Sequence, residues 1–244
     1  MNVAVVLPTY NEADNLALLV RDLLALPAAL HVIVVDDNSP DGTGRIADAL
    51  ARQEPRVSVR HRPAKLGLGT AYVEGFRAAL AQGADRVLTM DADFSHHPRY
   101  VPGVIALTRQ ADLGIGSRYV PGGGTLNWGV DRQLLSWAAN MTARAALGFH
   151  VHDCTAGFRC YRREVLASLD LDAIRSNGYS FLIEMLYRVT QHGFRVAETP
   201  ILFEDRRRGL SKISEQEIWR AGGTVARLAA ERLARRGKVY RPAP

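Results

Sequence analysis

Cysteine is nearly missing from this chain. Cys154 and Cys160 are the two in 244 residues, too few for a disulfide scaffold or a four-cysteine zinc site. They are expected to be buried, reduced thiols in a cytoplasmic protein. Lysine occurs only at positions 65, 212 and 238. Aromatic residues are a thin 7%, which speaks against a surface of interleaved bases and rings for nucleic acid. No apolar run approaches the roughly 18–20 residues that cross a bilayer. The opening MNVAVVLPTYNE has no basic stretch and meets Pro8 early, so it is not expected to be a signal peptide. No Gly-x-Gly-x-x-Gly follows the first apolar run, and no P-loop pattern occurs. The usual dinucleotide and P-loop phosphate cradles are therefore absent. A Gly-x-Ser-x-Gly elbow is missing too.

What is present is ordinary globular composition, 47% hydrophobic and 23% charged, enough for one large domain. The net charge is +6, and with so few lysines the 31 basic residues are almost all arginine. Arginine suits bidentate phosphate recognition, although a GC-rich coding sequence gives the same bias. Charge alone leaves phosphate ligands, nucleic acid and acidic membranes open.

Hydrophobic periodicity gives the order of elements. Val3–Leu7 reads as a buried strand closed by Pro8. Leu16, Leu19, Val20, Leu23 and Leu24 form one helical stripe, with Asn11 as the expected N-cap. Val32–Val35 is β-branched and suits a central parallel strand. A polar turn, Asp36 to Gly44, leads to a helix with Ile46, Ala47, Leu50 and Ala51 inward. Val57–Arg60 is a third strand, 67–80 a helix and Val87–Met90 a fourth strand. Residues 98–109 are expected to be helical and 113–116 extended. Further helices are expected over 131–147, 179–192 and 214–236. The alternation implies a mostly parallel α/β sheet flanked by helices. In such sheets ligands bind beyond the carboxyl ends of the strands.

Three polar turns sit at those ends: Pro8-Thr-Tyr-Asn-Glu12, Asp36-Asp-Asn-Ser-Pro-Asp-Gly-Thr43 and Asp91-Ala-Asp-Phe-Ser95. Carboxylates there can accept from base or ribose groups, and Tyr10 can stack. Asp91 and Asp93 offer hard oxygens to Mg²⁺ or Mn²⁺. The pattern is short, and Asp170-Leu-Asp172 repeats it in what reads as a surface turn. Position after a strand singles out the first pair. Adjacent His96 and His97 point to different sides, and a structural role at the turn is preferred to metal ligation.

At this point the sequence resembles the family 2 glycosyltransferases of the GT-A (Rossmann-like) fold, and among them the polyprenol-phosphate (dolichol-phosphate) mannose synthases. Besides the three turns, the resemblance rests on Gly116-Ser-Arg-Tyr119, Asp153-Cys-Thr-Ala-Gly-Phe-Arg159, Gly178-Tyr-Ser-Phe181 and Asp205-Arg-Arg-Arg-Gly-Leu-Ser-Lys212. It spans about residues 1–215. It implies that Pro8, Tyr10 and Glu12 hold the nucleotide base, with Val35 and Asp37 at base and ribose. Asp91, Ala92 and Asp93 match the metal and diphosphate site. Arg118, Arg206 and Lys212 match the basic phosphate contacts, and Arg132 and Ser136 those that receive the lipid phosphate. Where some members have a metal-ligating Gln two residues after the second Asp, this chain has Ser95. The C-terminal membrane helices of some members are not expected here.

The resemblance further implies inverting, metal-dependent transfer of mannose from GDP-mannose to a polyprenyl phosphate. That acceptor is already anionic and needs no strong general base. Another nucleotide-sugar such as UDP-glucose is the near alternative. A nucleotidyltransferase should instead carry a Gly-rich basic loop where this chain has PTYNE. A non-catalytic lipid- or nucleic-acid-binding protein is suggested only by the charge. The expected organisation is a catalytic domain over 1–213 and a basic amphipathic helix with a tail over 214–244. Ile218, Trp219, Gly222, Val225, Ala226, Ala229 and Leu233 share one face of that helix, with Arg220 and Arg227 opposite. This helix is expected to meet the cytoplasmic face of a membrane, unless it packs on the protein's own sheet or a membrane partner takes its place.

Overall fold

The computed structural model describes residues 1–204 and 215–238. Strands and helices alternate at first: β1 (Val3–Thr9), α1 (Ala13–Leu24), β2 (Leu30–Asp36), α2 (Thr43–Gln53), β3 (Val57–His61), α3 (Leu68–Ala81) and β4 (Arg86–Thr89). Then follow α4 (Val101–Leu107), β5 (Leu113–Ser117), β6 (Gly124–Leu126), α5 (Val130–Leu147), β7 (Arg159–Arg162), α6 (Arg163–Ser168) and α7 (Tyr179–Gln191). β8 (Val196–Pro200), β9 (Leu202–Glu204) and α8 (Glu215–Lys238) complete the described chain.

One seven-stranded sheet runs in the order β3-β2-β1-β4-β7-β5-β8, and β6 pairs with β9 beside it. β1, β2, β3 and β4 are mutually parallel, as are β5 and β8. β7 alone is antiparallel to its neighbours, β4 and β5. Strand side chains alternate between faces, so the sheet needs two covers. Ala4, Val6, Ile33, Val35 and Val87 pack with residues of α3 and α7. Val3, Val5, Leu7, Val32, Val34 and Leu88 pack with α1 and α4. Burial on both faces is why these strands are continuous apolar runs. Gly75 lets α3 lie tight on β1, since a Cβ there would sit 2.2 Å from Val6 Cγ1.

Two expectations change. Asn11 is not the N-cap of α1; it takes a left-handed φ of 62°, and Glu12 occupies that position. The helix start is satisfied from the neighbouring turn. Thr43 Oγ1 accepts from Glu12 N–H at 2.9 Å, and Asp41 Oδ2 from Ala13 N–H at 3.0 Å. The second change concerns α8. Val225 and Leu228 are buried in the core shared with α7, each contributing roughly 1.5–3 kcal/mol. Arg227 is only partly exposed and pairs with buried Glu184 at 2.7 Å. The expected apolar face is therefore split: Val225 packs inward, while Trp219 and Leu233 stay exposed.

Candidate active site

The first two polar turns are knitted together. Besides the two bonds at the start of α1, Ser39 Oγ accepts from Asn11 N–H at 3.1 Å. Asp36 in turn accepts from the Ser39 hydroxyl at 2.6 Å and from the Thr9 hydroxyl at 3.1 Å. The PTYNE segment is thus held by the turn after β2. Burial would push the Asp41 carboxyl up, but its hydrogen bonds from Thr43 and Ala13 bring it below the usual value.

Asp37 follows the end of β2 and is buried. It forms an ion pair with Arg62, also buried, and its Oδ2 accepts from Gly67 N–H at 3.0 Å. Sequence reasoning did not single out Arg62; no local motif marks it, because its partner lies 25 residues away. Lys65 Nζ sits 3.9 Å above the ring of Tyr10. The Val35 side chain is fully buried in the core at the end of β2.

Asp91 to Ser95 leave the end of β4. Asp93 is buried, and its Oδ1 accepts from Ser95 N–H at 3.0 Å. Asp91 is half-buried, with Tyr72 O–H at 3.4 Å from its Oδ1. Phe94 takes a left-handed φ of 64°, which folds the turn back. His96 supports the turn rather than joining the carboxylates: its Nδ1 accepts from Asp91 N–H at 3.2 Å. Burial depresses its basicity, and nearby Asp91 and Asp93 only partly restore it. The neutral ring stacks on Phe158. His97 accepts from Arg99 N–H and starts a short 3-10 turn. Both histidines accept a backbone hydrogen bond within this segment. Asp170 likewise caps a surface turn.

Two neighbouring carboxylates are a hard-oxygen set of the kind Mg²⁺ or Mn²⁺ takes. Ser95 Oγ is buried beside them with no hydrogen-bond partner, a polar atom that a bound ion or its water would satisfy. Among the described residues no group of three or more His, Cys, Asp or Glu is arranged to enclose a metal. A diphosphate would have to supply further oxygens, as is common for Mg²⁺. The residues fit an ion shared with substrate.

Arg118 follows the end of β5. Its Nε and Nη2 donate to the two Asp153 oxygens, both at 2.7 Å, and its own N–H donates to Asp153 at 3.0 Å. Burial would raise the Asp153 carboxyl, yet the adjacent guanidinium holds it below the usual range. The guanidinium expected to contact phosphate is thus also paired with Asp153. Trp128 and Phe203 flank the same guanidinium, each with its ring centre 5.5 Å away. Arg132 stacks on Trp128 at 4.0 Å, and Ser136 Oγ pairs with Tyr119 O–H at 2.7 Å. A cavity of about 350 Å³ opens here, lined by Arg118, Tyr119, Gly124, Thr125 and Gln133. A larger one, about 420 Å³, lies between β3, α3 and the 171–176 segment, with Arg62, the partner of Asp37, in its lining.

The outer side of α5 is unusual. Val130, Leu134, Trp137 and Met141 recur at helical spacing and are 72%, 61%, 54% and 42% exposed. The same helix turns Arg132 and Ser136 toward Trp128 and Tyr119. Arg206 and Lys212 lie outside the described residues.

The site therefore joins the ends of β1, β2, β4 and β5, and residues 4–170 match the family model for glycosyl transferase family 2. The chain belongs to that family. Family 2 membership covers all three acidic turns, Arg118, Arg132, Ser136 and Asp153. The chain is 45% identical to an undecaprenyl-phosphate mannosyltransferase of Micrococcus luteus, over 93% of each protein. It is 48% identical to a polyprenol monophosphomannose synthase of Mycolicibacterium smegmatis, over 91% of this chain and 84% of that one. Crystallographic likenesses show the shared fold. Glucosyl-3-phosphoglycerate synthase from Mycobacterium tuberculosis, crystallised with Mn²⁺, uridine diphosphate and glucosyl-3-phosphoglycerate, is 23% identical with a TM-score of 0.65. That match covers 94% of this chain and 80% of the synthase. Mannosyl-3-phosphoglycerate synthase from Rubrobacter xylanophilus is 23% identical with a TM-score of 0.64, over 99% of this chain and 77% of the other.

Proposed function

We propose that this glycosyltransferase moves a mannosyl group from GDP-mannose to a polyprenyl monophosphate with inversion. The observation that carries the reading is the pair Asp91 and Asp93 after β4, next in the sheet to β1, which ends in PTYNE, with the Asp36–Thr43 turn after β2. The names of the relatives at 45% and 48% identity support mannose and a polyprenyl acceptor. Tyr10, Glu12 and Asp37 are assigned to base and ribose, with Pro8 and the Val35 backbone beside them. Asp91, Ala92 and Asp93 take the diphosphate end. When Mg²⁺ or Mn²⁺ is bound there, it neutralises charge on the departing diphosphate.

The acceptor's phosphate oxygen attacks the anomeric carbon. That C–O bond forms as the bond to the diphosphate breaks, and GDP leaves with the electron pair. An α-linked donor gives a β-linked product. No proton needs to be removed from the nucleophile, so the chain's task is to position two anions. Arg132, beside Trp128, is assigned to the acceptor phosphate, with Ser136 next to it; Arg118 and Asp153 hold the wall between the two substrates. Arg206 and Lys212 are assigned to the donor phosphates.

Residues 1–213 are assigned as the catalytic unit and 214–244 as a C-terminal helix and basic tail, the helix packing on that unit through Val225 and Leu228. A polyprenyl chain stays in the bilayer, so the site must come to it. Among the described residues no helix is long and apolar enough to cross a membrane. The exposed stripe of α5, with Trp219 and Leu233 on α8, supports peripheral contact with the membrane.

The test is a thermal-shift panel of nucleotide-sugars with and without Mn²⁺, followed by transfer of labelled mannose to a polyprenyl phosphate. GDP-mannose should give the largest Mn²⁺-dependent stabilisation. Stabilisation by UDP-glucose alone would overturn the donor assignment. That second reading is favoured by the uridine diphosphate in the mycobacterial likeness.

A further inference from the structure

The turn that holds Asp37 is itself held from the other side of the molecule. Gly67 donates to Asp37, and two residues on, Gly69 N–H donates to Asn177 Oδ1 at 3.0 Å. Asn177 Nδ2 donates to Leu66 O at 3.2 Å. One side-chain amide thus bonds both arms of the 66–69 turn. Gly67 has a φ of 99°, and a Cβ there would lie 2.4 Å from Asn177 Nδ2. Only glycine lets the amide come so close.

The neighbouring Ser176 is tied in the opposite direction. Its N–H and hydroxyl donate to Glu184 Oε2 at 3.1 and 2.5 Å. Its Oγ also accepts from Arg227 Nη2 at 3.1 Å and lies 3.2 Å from Thr224 Oγ1. Thr224 and Arg227 belong to α8. Hydrogen bonds thus run from α8 to Ser176, and from Asn177, the next residue along the backbone, to the turn that orients Asp37.

We propose that Asn177 is a positioning residue for the nucleotide, and that Ser176 ties nucleotide affinity to the seating of α8. The inference rests on the nucleotide-sugar reading above. Asn177 touches no substrate in this scheme; it fixes the Gly67 N–H that fixes Asp37. Any contact that shifts α8 then changes donor binding, which is coupling in the thermodynamic sense.

The experiment is calorimetric titration of the full chain with GDP and Mn²⁺, paired with steady-state kinetics. Asn177→Ala should weaken GDP binding about fivefold, the loss expected for one or two neutral hydrogen bonds, with kcat near wild type at saturating donor. Asn177→Asp keeps the acceptor for Gly69 but loses the donor to Leu66, and should fall between. Ser176→Ala should weaken binding roughly threefold, and the double variant should be no worse than Asn177→Ala alone. Unchanged affinity in Asn177→Ala overturns the positioning role. Fully multiplicative effects in the double variant overturn the link to α8. If wild type takes UDP instead of GDP, the donor reading fails, and the same ratios measured with UDP still decide the inference.

Discussion

Asp153 meets Arg118 through both carboxylate oxygens, and neither residue has appreciable contact with solvent. Removing one member of such a pair leaves an uncompensated buried charge. Asp153→Asn should therefore cost about 3–5 kcal/mol, measured by urea denaturation at neutral pH. Its carboxyl lies below the ordinary 3.8 in the folded protein. The pair's contribution is thus complete above about pH 4 and fades as pH falls through the lower folded value. A variant as stable as wild type, with the same acid profile, would show that the pair contributes nothing.

Asp93→Asn should abolish sugar transfer and Mn²⁺-dependent donor binding while the far-ultraviolet circular dichroism stays native. Asparagine is the better substitution than alanine. Asp93 is buried and accepts from Ser95 N–H, and Asn keeps that bond. Wild-type turnover would remove the metal assignment.

Leu134→Glu with Trp137→Glu should cut sedimentation with anionic vesicles at least about fivefold, because two exposed apolar groups no longer enter the interface. Turnover on a short, water-soluble acceptor should persist. Trp219→Glu with Leu233→Glu gives the matching test of α8. Cutting the chain at Glu215 would not separate anchor from fold, since Leu228 and the Arg227–Glu184 pair would go with it. Unchanged pelleting in both double variants would refute these faces as the membrane contact.

Lys212→Ala and Arg206→Ala should each lower turnover at least tenfold, about 1.4 kcal/mol for one charge-assisted phosphate contact. If both match wild type, the donor phosphates lie elsewhere.

The first four strands and their helices are legible because the strands read as short, largely apolar runs and the helices between them carry a 3.6-residue period. β7 was not: Arg159-Cys-Tyr-Arg162 has no alternation, and its antiparallel place is set by distant neighbours. β6, β8 and β9 are not legible either, being short and only partly buried. The acidic turns were visible as local motifs. Their partners were not, since Arg62 reaches Asp37, and Asp153 reaches Arg118, only through the fold. Arg227 was misjudged because a helical wheel cannot reveal a buried Glu184 on another helix.

A ribosome-bound chain that has emerged only as far as Thr89 already contains four adjacent parallel strands and the helices between them. The other half of the sheet has to wait. β5 is made before either partner, β7 and β8, and its Leu113 finally aligns with Val196. Long loops must close before those contacts reward the chain, so this half should assemble slowly. During synthesis β4 therefore spends time as a bare edge and β5 as an unpaired strand, and chaperone dependence is expected to concentrate there rather than among β1, β2 and β3.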